Sequence, residues 1–281
     1  MTAEAPPALS SCRPRRLGGD AVLIDGHYLH LDACDSLDLR HGAYEPYERR
    51  LLESLIAPGT TVVDVGANIG LYTLLFARAV GDQGRVYAFE PEPDNLRLLA
   101  HNLRTNGCGN VTIVPKAVAA RAGTATLFLS AENRGDHRLF DPGDGRRSMP
   151  VPTVALDEWF AGYADPIALV KIDIQGAEVE ALAGMGALLE RHPETWIALE
   201  YWPAGLRRAG ASGEALLDTL EGLDRPLFHI DEDRQALVPL DRNWLAHKVT
   251  EAKGNHTNLL VAPRWDRPAS RRHDETLVSP S

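Results

Sequence analysis

Cysteine is scarce. The 281 residues contain three, Cys12, Cys34 and Cys108, far apart and with no Cys-x-x-Cys pair, which argues against a zinc knot or a disulfide framework. Lysine is scarce beside arginine, four against 25, a bias of the kind that GC-rich coding produces. Aromatic residues make up only 6%. No run approaches the roughly 20 uncharged apolar residues of a membrane helix. No apolar stretch follows Arg13, Arg15 and Arg16 near the start, so no secretory leader is expected and the expected compartment is the cytoplasm. Basic residues are outnumbered 29 to 39, a formal charge of −10. That opposes sequence-independent binding to nucleic acid, whose affinity comes from Lys and Arg neutralising phosphates.

Hydrophobic residues are 44% and charged residues 24%, an ordinary balance for a globular chain long enough to bury a sizeable core. There is no internal repeat. Residues 1–18, rich in Pro, Ser and Arg, read as a disordered tail, and residues 264–281 read the same way. One domain is expected over 19–263, with an N-terminal cap over about 19–57. Within it apolar runs alternate with helical patterns. Strands are expected at Thr61–Val65, Arg85–Phe89, Val111–Val114, Ile167–Ile172, Trp196–Glu200, Leu227–Ile230 and Asn258–Val261. Helices are expected at Leu71–Val80, Asp94–Asn106, Ala177–Arg191 and Ser212–Leu223. Thr124–Leu129 is β-like and leads into a long polar loop, Ser130–Ser148. The alternation predicts an α/β fold with a mostly parallel sheet covered on both faces. In such folds ligands bind outside the carboxyl ends of the strands.

The sharpest local signal is Asp64-Val65-Gly66-Ala67-Asn68-Ile69-Gly70, which leaves the first strand of that series and enters a helix. Gly66 permits a tight turn and close approach. Asn68 tolerates a left-handed backbone. Gly70 permits close packing of helix on strand, and the helix start offers free N–H groups. The Gly-x-x-x-Gly spacing differs from the Gly-x-Gly-x-x-Gly of dinucleotide dehydrogenases, which opposes an NAD-dependent oxidoreductase. With an acid two residues upstream, it resembles the first motif of class I S-adenosylmethionine (SAM) methyltransferases. Asp64 would then complement the positive methionine end of SAM. A plain tight turn is the bland alternative. Glu90 follows the next strand, where such folds place a carboxylate on ribose hydroxyls. Lys116-Ala117-Val118 follows the third, where the adenine is read; Ala117 is the contact expected there.

Lys171-Ile172-Asp173-Ile174-Gln175-Gly176-Ala177-Glu178 leaves the fourth core strand, which sets Asp173 opposite Asp64. DVGANIG, FEPEPDN, KIDIQGAE, GAYEPYE (Gly42–Glu48) and ENRGDHRL (Glu132–Leu139) together resemble FkbM-type methyltransferases, over about Ala21 to Pro263. The resemblance implies a Rossmann-like class I methyltransferase fold with a seven-stranded sheet. It also implies SAM as methyl donor and, typically, O-methylation of a natural product, sugar or related metabolite. The family form has Glu where this chain has Gln175, so no catalytic role is carried over to that position.

Methylation of an alcohol needs a base to remove its proton or a metal to lower its pKa. His137 in the polar loop is the first candidate, as base or substrate-orienting group. Asp173, Glu200 and His256 are the others. Asp173 and Glu200 end consecutive strands, and their hard oxygens would suit Mg²⁺ as an alternative. Tyr201, Trp202 and Pro203 would wall an apolar substrate pocket or pack in the core. The polar loop and Tyr44-Glu45-Pro46 are expected to cover the cofactor. The turn after Asp173 lacks the Asn/Asp-Pro-Pro-aromatic pattern of enzymes that methylate exocyclic amines. A nitrogen acceptor and a SAM-binding protein without catalysis remain the competing functions. The expected partner is a small-molecule substrate, with neither nucleic acid nor membrane.

Overall fold

The computed structural model describes residues 21–264, apart from residues 33, 34, 36, 37, 42 and 43. The tail expected at 1–18 and, apart from Arg264, the tail expected at 264–281 lie outside the described residues, as do Cys12 and Cys34. In chain order the elements are β1 (Ala21–Ile24), β2 (His27–His30), α1 (Pro46–Ser54), β3 (Thr61–Val65), α2 (Leu71–Val80), β4 (Arg85–Phe89) and α3 (Pro93–Thr105). Next come β5 (Val111–Val114), β6 (Ala117–Val118), β7 (Gly123–Phe128), β8 (Ser148–Val154), α4 (Leu156–Trp159), β9 (Ile167–Ile172), α5 (Glu178–Ala183) and α6 (Gly186–Arg191). The series closes with β10 (Trp196–Tyr201), α7 (Pro203–Arg208), α8 (Gly213–Glu221), β11 (Leu227–Asp231), β12 (Ala236–Pro239), α9 (Arg242–Lys248) and β13 (Thr257–Val261).

The central sheet has eight strands in the order β12-β11-β13-β10-β9-β3-β4-β5. The pairs from β10 through β9, β3 and β4 to β5 are parallel, and β13 runs antiparallel between β10 and β11. The expected α/β arrangement is present with eight strands instead of seven. The extra strand is β12, which turns back on β11 at the sheet edge. It escapes a periodicity reading because its residues are only half-buried.

Side chains alternate across the strands, so each strand feeds two cores. Val63, Val65, Val170, Ile172, Ile197 and Leu199 pack with Leu182, Leu188 and Leu216 from α5, α6 and α8. Val62, Val86, Leu169 and Ala198 pack on the opposite face with Leu52 of α1 and Phe76 of α2. Burial on both faces explains why β3 and β9 are mostly apolar, with Asp64 and Lys171 as the charges they carry. The N-terminal hairpin β1–β2 is tied to α3 by Asn102, whose side chain accepts from His30 N and donates to His30 O.

Two local expectations differ from the fold. The single helix expected over Ala177–Arg191 is two, broken at Gly184-Met185. Asp157 Oδ1 accepts from Leu188 N at 2.6 Å, which starts α6 from outside the helix. A Cβ on Gly184 would lie 2.3 Å from the carbonyl oxygen of Ala119, so the break lets the segment after β6 cross closely. The polar loop is also framed by an unexpected strand. β8 pairs antiparallel with β7 and parallel with β6, despite Pro150 and Pro152. Those prolines lack N–H donors and hide the strand from a sequence reading. Gly184 has an ordinary φ, so Gly184→Ala isolates the overlap with Ala119. It should lower stability by about 1–3 kcal/mol, read as a lower urea midpoint at unchanged slope.

Candidate active site

The turns after β3, β4 and β9 meet at one cleft. Its floor is the turn after β3. Gly66, Asn68 and Gly70 all have positive φ, at 88°, 50° and 99°. The bend is pinned because Gly66 N and Ala67 N both donate to Phe89 O, at 2.9 and 3.0 Å. A Cβ on Gly66 would sit 2.0 Å from the Asp173 carbonyl oxygen, so glycine is required for the β3 and β9 turns to close on each other.

Glu90 is the buried carboxylate of this half. Its Oε2 accepts from Asn68 N at 2.9 Å, and its Oε1 accepts from Glu92 N at 2.9 Å and from Asn95 Nδ2 at 3.5 Å. Burial pushes its pKa up to about 7, against those hydrogen bonds. Ala117 is 5% exposed and lines the cleft beside Lys116. Asn95 and His137 also line it, and each keeps a buried polar atom, Oδ1 and Nε2, with no protein partner.

His137 has a defined tautomer. Its Nδ1 accepts from Ser130 N at 3.0 Å, so the proton of the neutral ring sits on Nε2. Burial, with Arg134 nearby, lowers its pKa to about 4. Both facts make Nε2 a hydrogen-bond donor and not a base, which favours the orienting role over the proton-removing one. The loop that carries it is held on either side of the histidine. Arg134 reaches Glu92 and Asp94 at 3.5 and 3.3 Å, and Arg138 stacks 4.8 Å from the Trp202 ring.

Asp64, Gly70 and Glu200, all expected at the site, are not among the residues that line this cleft. Asp64 is 1% exposed and points under α2, where its Oδ2 accepts from Thr73 Oγ1 at 2.6 Å. The alternation of β3 puts Val65, not Asp64, on the cleft side. Gly70 starts α2 and allows close packing on Leu99 of α3, whose Cδ1 lies 2.7 Å from the place of a Cβ.

The other half of the site is organised around Lys171. Its ammonium is 3.2 Å from Asp173 Oδ2 and 4.2 Å from the centre of the Tyr72 ring. Burial opposes its charge, but Asp173, Glu48, Glu45 and Asp64 outweigh burial and hold its pKa above the ordinary lysine range. Glu45 Oε2 accepts from Tyr72 Oη at 2.8 Å, and Asn258 Nδ2 donates to both Glu45 Oε1 and Glu48 Oε2. Gln175 Nε2 donates to Asp173 Oδ1 at 3.0 Å and to Glu200 Oε2 at 3.1 Å. Burial resists ionisation of Asp173, yet Lys171 and Gln175 keep its pKa below the usual range. Burial, followed by the charges of Asp173 and Glu178, pushes Glu200 well above it. His256 Nε2 lies 3.8 Å from Glu200 Oε1, and its side chain is 56% exposed.

Mg²⁺ does not fit this pair, because the facing oxygens of Asp173 and Glu200 already accept amide hydrogens. Among the described residues no group of three or more His, Cys, Asp or Glu side chains converges as a metal site. Lys171, Asn95 and Asn258 were not singled out in the sequence. Lys171 alone carried a signal, a lone charge inside the apolar strand IALVKI. Lys171→Met would leave a group of buried carboxylates without its cation and should cost about 3–5 kcal/mol. Adding Asp173→Asn should recover part of that loss in chemical denaturation; a double variant less stable than the single one would overturn this account.

A family model described as the methyltransferase FkbM domain matches residues 64–223. Methyltransferase sdnD of Sordaria araneosa is 29% identical over 212 residues, covering 63% of this chain and 77% of that protein. Hexuronic acid methyltransferase AglP of Haloferax volcanii is 29% identical over 132 residues, covering 45% of this chain and 50% of that protein, so the match spans half its length. Because the family match runs from the glycine turn through Glu90 and the Asp173 turn to the end of α8, the chain belongs to the FkbM methyltransferase family.

Proposed function

We propose that the cleft binds SAM and that the protein methylates a hydroxyl group of a small molecule, with a sugar or a hydroxylated natural product as the acceptor class. Glu90 carries this reading. A buried carboxylate held by backbone N–H groups at the mouth of a glycine turn can take two ribose hydroxyls at once. The partnerless Asn95 Oδ1 and His137 Nε2 in the same cleft suit a ligand that supplies both a donor and an acceptor. When bound, SAM supplies an electrophilic methyl group on sulfur. AglP, a methyltransferase of a sugar acid by its name, supports the acceptor class.

Glu200 is the proton acceptor in this reading. Burial disfavours the charged form of Glu200 and so makes its carboxylate the stronger base, while Lys171 holds Asp173 low. Its Oε1 is the oxygen not held by Gln175. Asp173 stays charged at the end of β9 and orients the ligands, and His137 donates a hydrogen bond from Nε2. The loop over 130–147 and the segment at Tyr44-Glu45-Pro46 exclude water. Labelled SAM incubated with a panel of sugars and hydroxylated metabolites tests the function, and an acceptor methylated only on nitrogen would overturn it. With the acceptor found, Glu200→Gln should lower kcat about 10²-fold or more, and His137→Ala about 10-fold. A larger loss for His137→Ala would return the role of base to the histidine.

The raised pKa of Glu90 gives a sign to the pH dependence of binding. Ribose hydroxyls donate to the carboxylate, so binding favours the ionised form, whose population rises through about pH 7. Affinity for S-adenosylhomocysteine, measured by calorimetry, should therefore be about 10-fold weaker at pH 6 than at pH 8. Glu90→Gln should bind more weakly at pH 8 and lose this dependence. A pH-independent affinity in the unmodified protein would remove Glu90 from the ribose.

A further inference from the structure

Gln175 stands where the two halves of the site meet, since it lines the cleft and touches Glu200. An amide nitrogen has two hydrogens, and here each goes to a different carboxylate, at 3.0 Å to Asp173 Oδ1 and 3.1 Å to Glu200 Oε2. Lys171 reaches Asp173 through the other oxygen, Oδ2, and forms no ion pair with Glu200. Between the two acids, the amide is thus the donor they share.

The backbone makes this placement informative. Gln175 has φ 56°, a left-handed conformation in which Gly or Asn is the ordinary choice. The turn is held by its neighbours. Glu178 Oε1 accepts from Ile174 N and Gly176 N, at 3.3 and 3.1 Å. Gly176 lies so close to Gly205 that a Cβ would meet that backbone at 2.7 Å. Nothing in the turn calls for glutamine, so its side chain is what the position uses.

We propose that Gln175 is a positioning residue that takes the place of a cation between Asp173 and Glu200. Its two N–H groups let the acids stand side by side without a metal, and they leave Glu200 Oε1, with His256 Nε2 3.8 Å away, to face the acceptor. The side chain at 175 therefore decides whether this pair takes up a divalent ion. Glutamate, of the same length, would replace two donors with acceptors and bring three carboxylates together, an oxygen-rich set that hard divalent ions bind. The role of Glu200 Oε1 rests on the proposed reaction; the cation-replacing role does not.

Mn²⁺ titration of the full chain, followed by the loss of the aqueous ion's six-line paramagnetic resonance signal, tests this. The unmodified protein should bind no Mn²⁺ at this pair below the millimolar range. Gln175→Glu should take up one ion per chain at least about 10-fold more tightly, and adding Glu200→Gln should abolish that uptake. Gln175→Ala removes the donors without adding charge and should show a weaker gain, which keeps the test open if Gln175→Glu fails to fold. Uptake by the unmodified protein that Glu200→Gln abolishes, or no gain in either variant when folded, would overturn the proposal. Binding of S-adenosylhomocysteine by the unmodified protein is measured separately: its absence refutes the SAM reading and leaves the Mn²⁺ result standing.

Discussion

An ammonium taken out of water must be surrounded by negative charge or give up its proton, and Lys171 shows what the first solution demands of a fold. Isolated, the buried ion would cost several kcal/mol. The chain meets the requirement with acids drawn from β3, β9 and the entry to α1, and with the Tyr72 ring beneath the charge. Each acid in turn needs donors. Thr73 serves Asp64, Gln175 serves Asp173, Tyr72 serves Glu45, and Asn258 serves Glu45 and Glu48. The arrangement reaches solvent at Glu200 and His256.

The cofactor-side half follows a different logic. It is built from backbone, with a left-handed turn, two amides on one carbonyl and a carboxylate held by N–H groups. Backbone geometry of this kind is written in short runs of sequence. The glycine turn and the core strands from β3 to β5 were therefore legible from the residues, and Glu90 and Ala117, read from the strand ends of such folds, do line the cleft. The direction of a side chain is not. Asp64 precedes the turn as the resemblance requires, yet the two-residue period of β3 aims it beneath α2.

What stayed hidden was set by contacts distant in sequence. Nothing in IDIQGAE alone announces that Gln175 will find Glu200, 25 residues on. His137 read as a base because histidine titrates near neutrality, and only the bond from Ser130 fixes which nitrogen carries the proton. The helix over Ala177–Arg191 divided because a backbone crossing at Ala119 asks for space at Gly184. β8 was masked by its prolines and β12 by its partial exposure. In each case local preference was overruled by a neighbour that arrives from another part of the chain.

The contact of Asn258 with Glu45 and Glu48 joins segments more than 200 residues apart. Asn258 lies on β13, the last strand in chain order among the described residues, and that strand inserts between β10 and β11. During synthesis the residues that form the glycine turn, Glu90 and the Asp173 turn all leave the ribosome well before it. The amide that joins Glu45 and Glu48 beside Lys171 is in place only once β13 is in the sheet. A nascent chain would thus hold the residues of the glycine-turn cleft before the donor that joins Glu45 and Glu48, and insertion of one reversed strand brings that donor in.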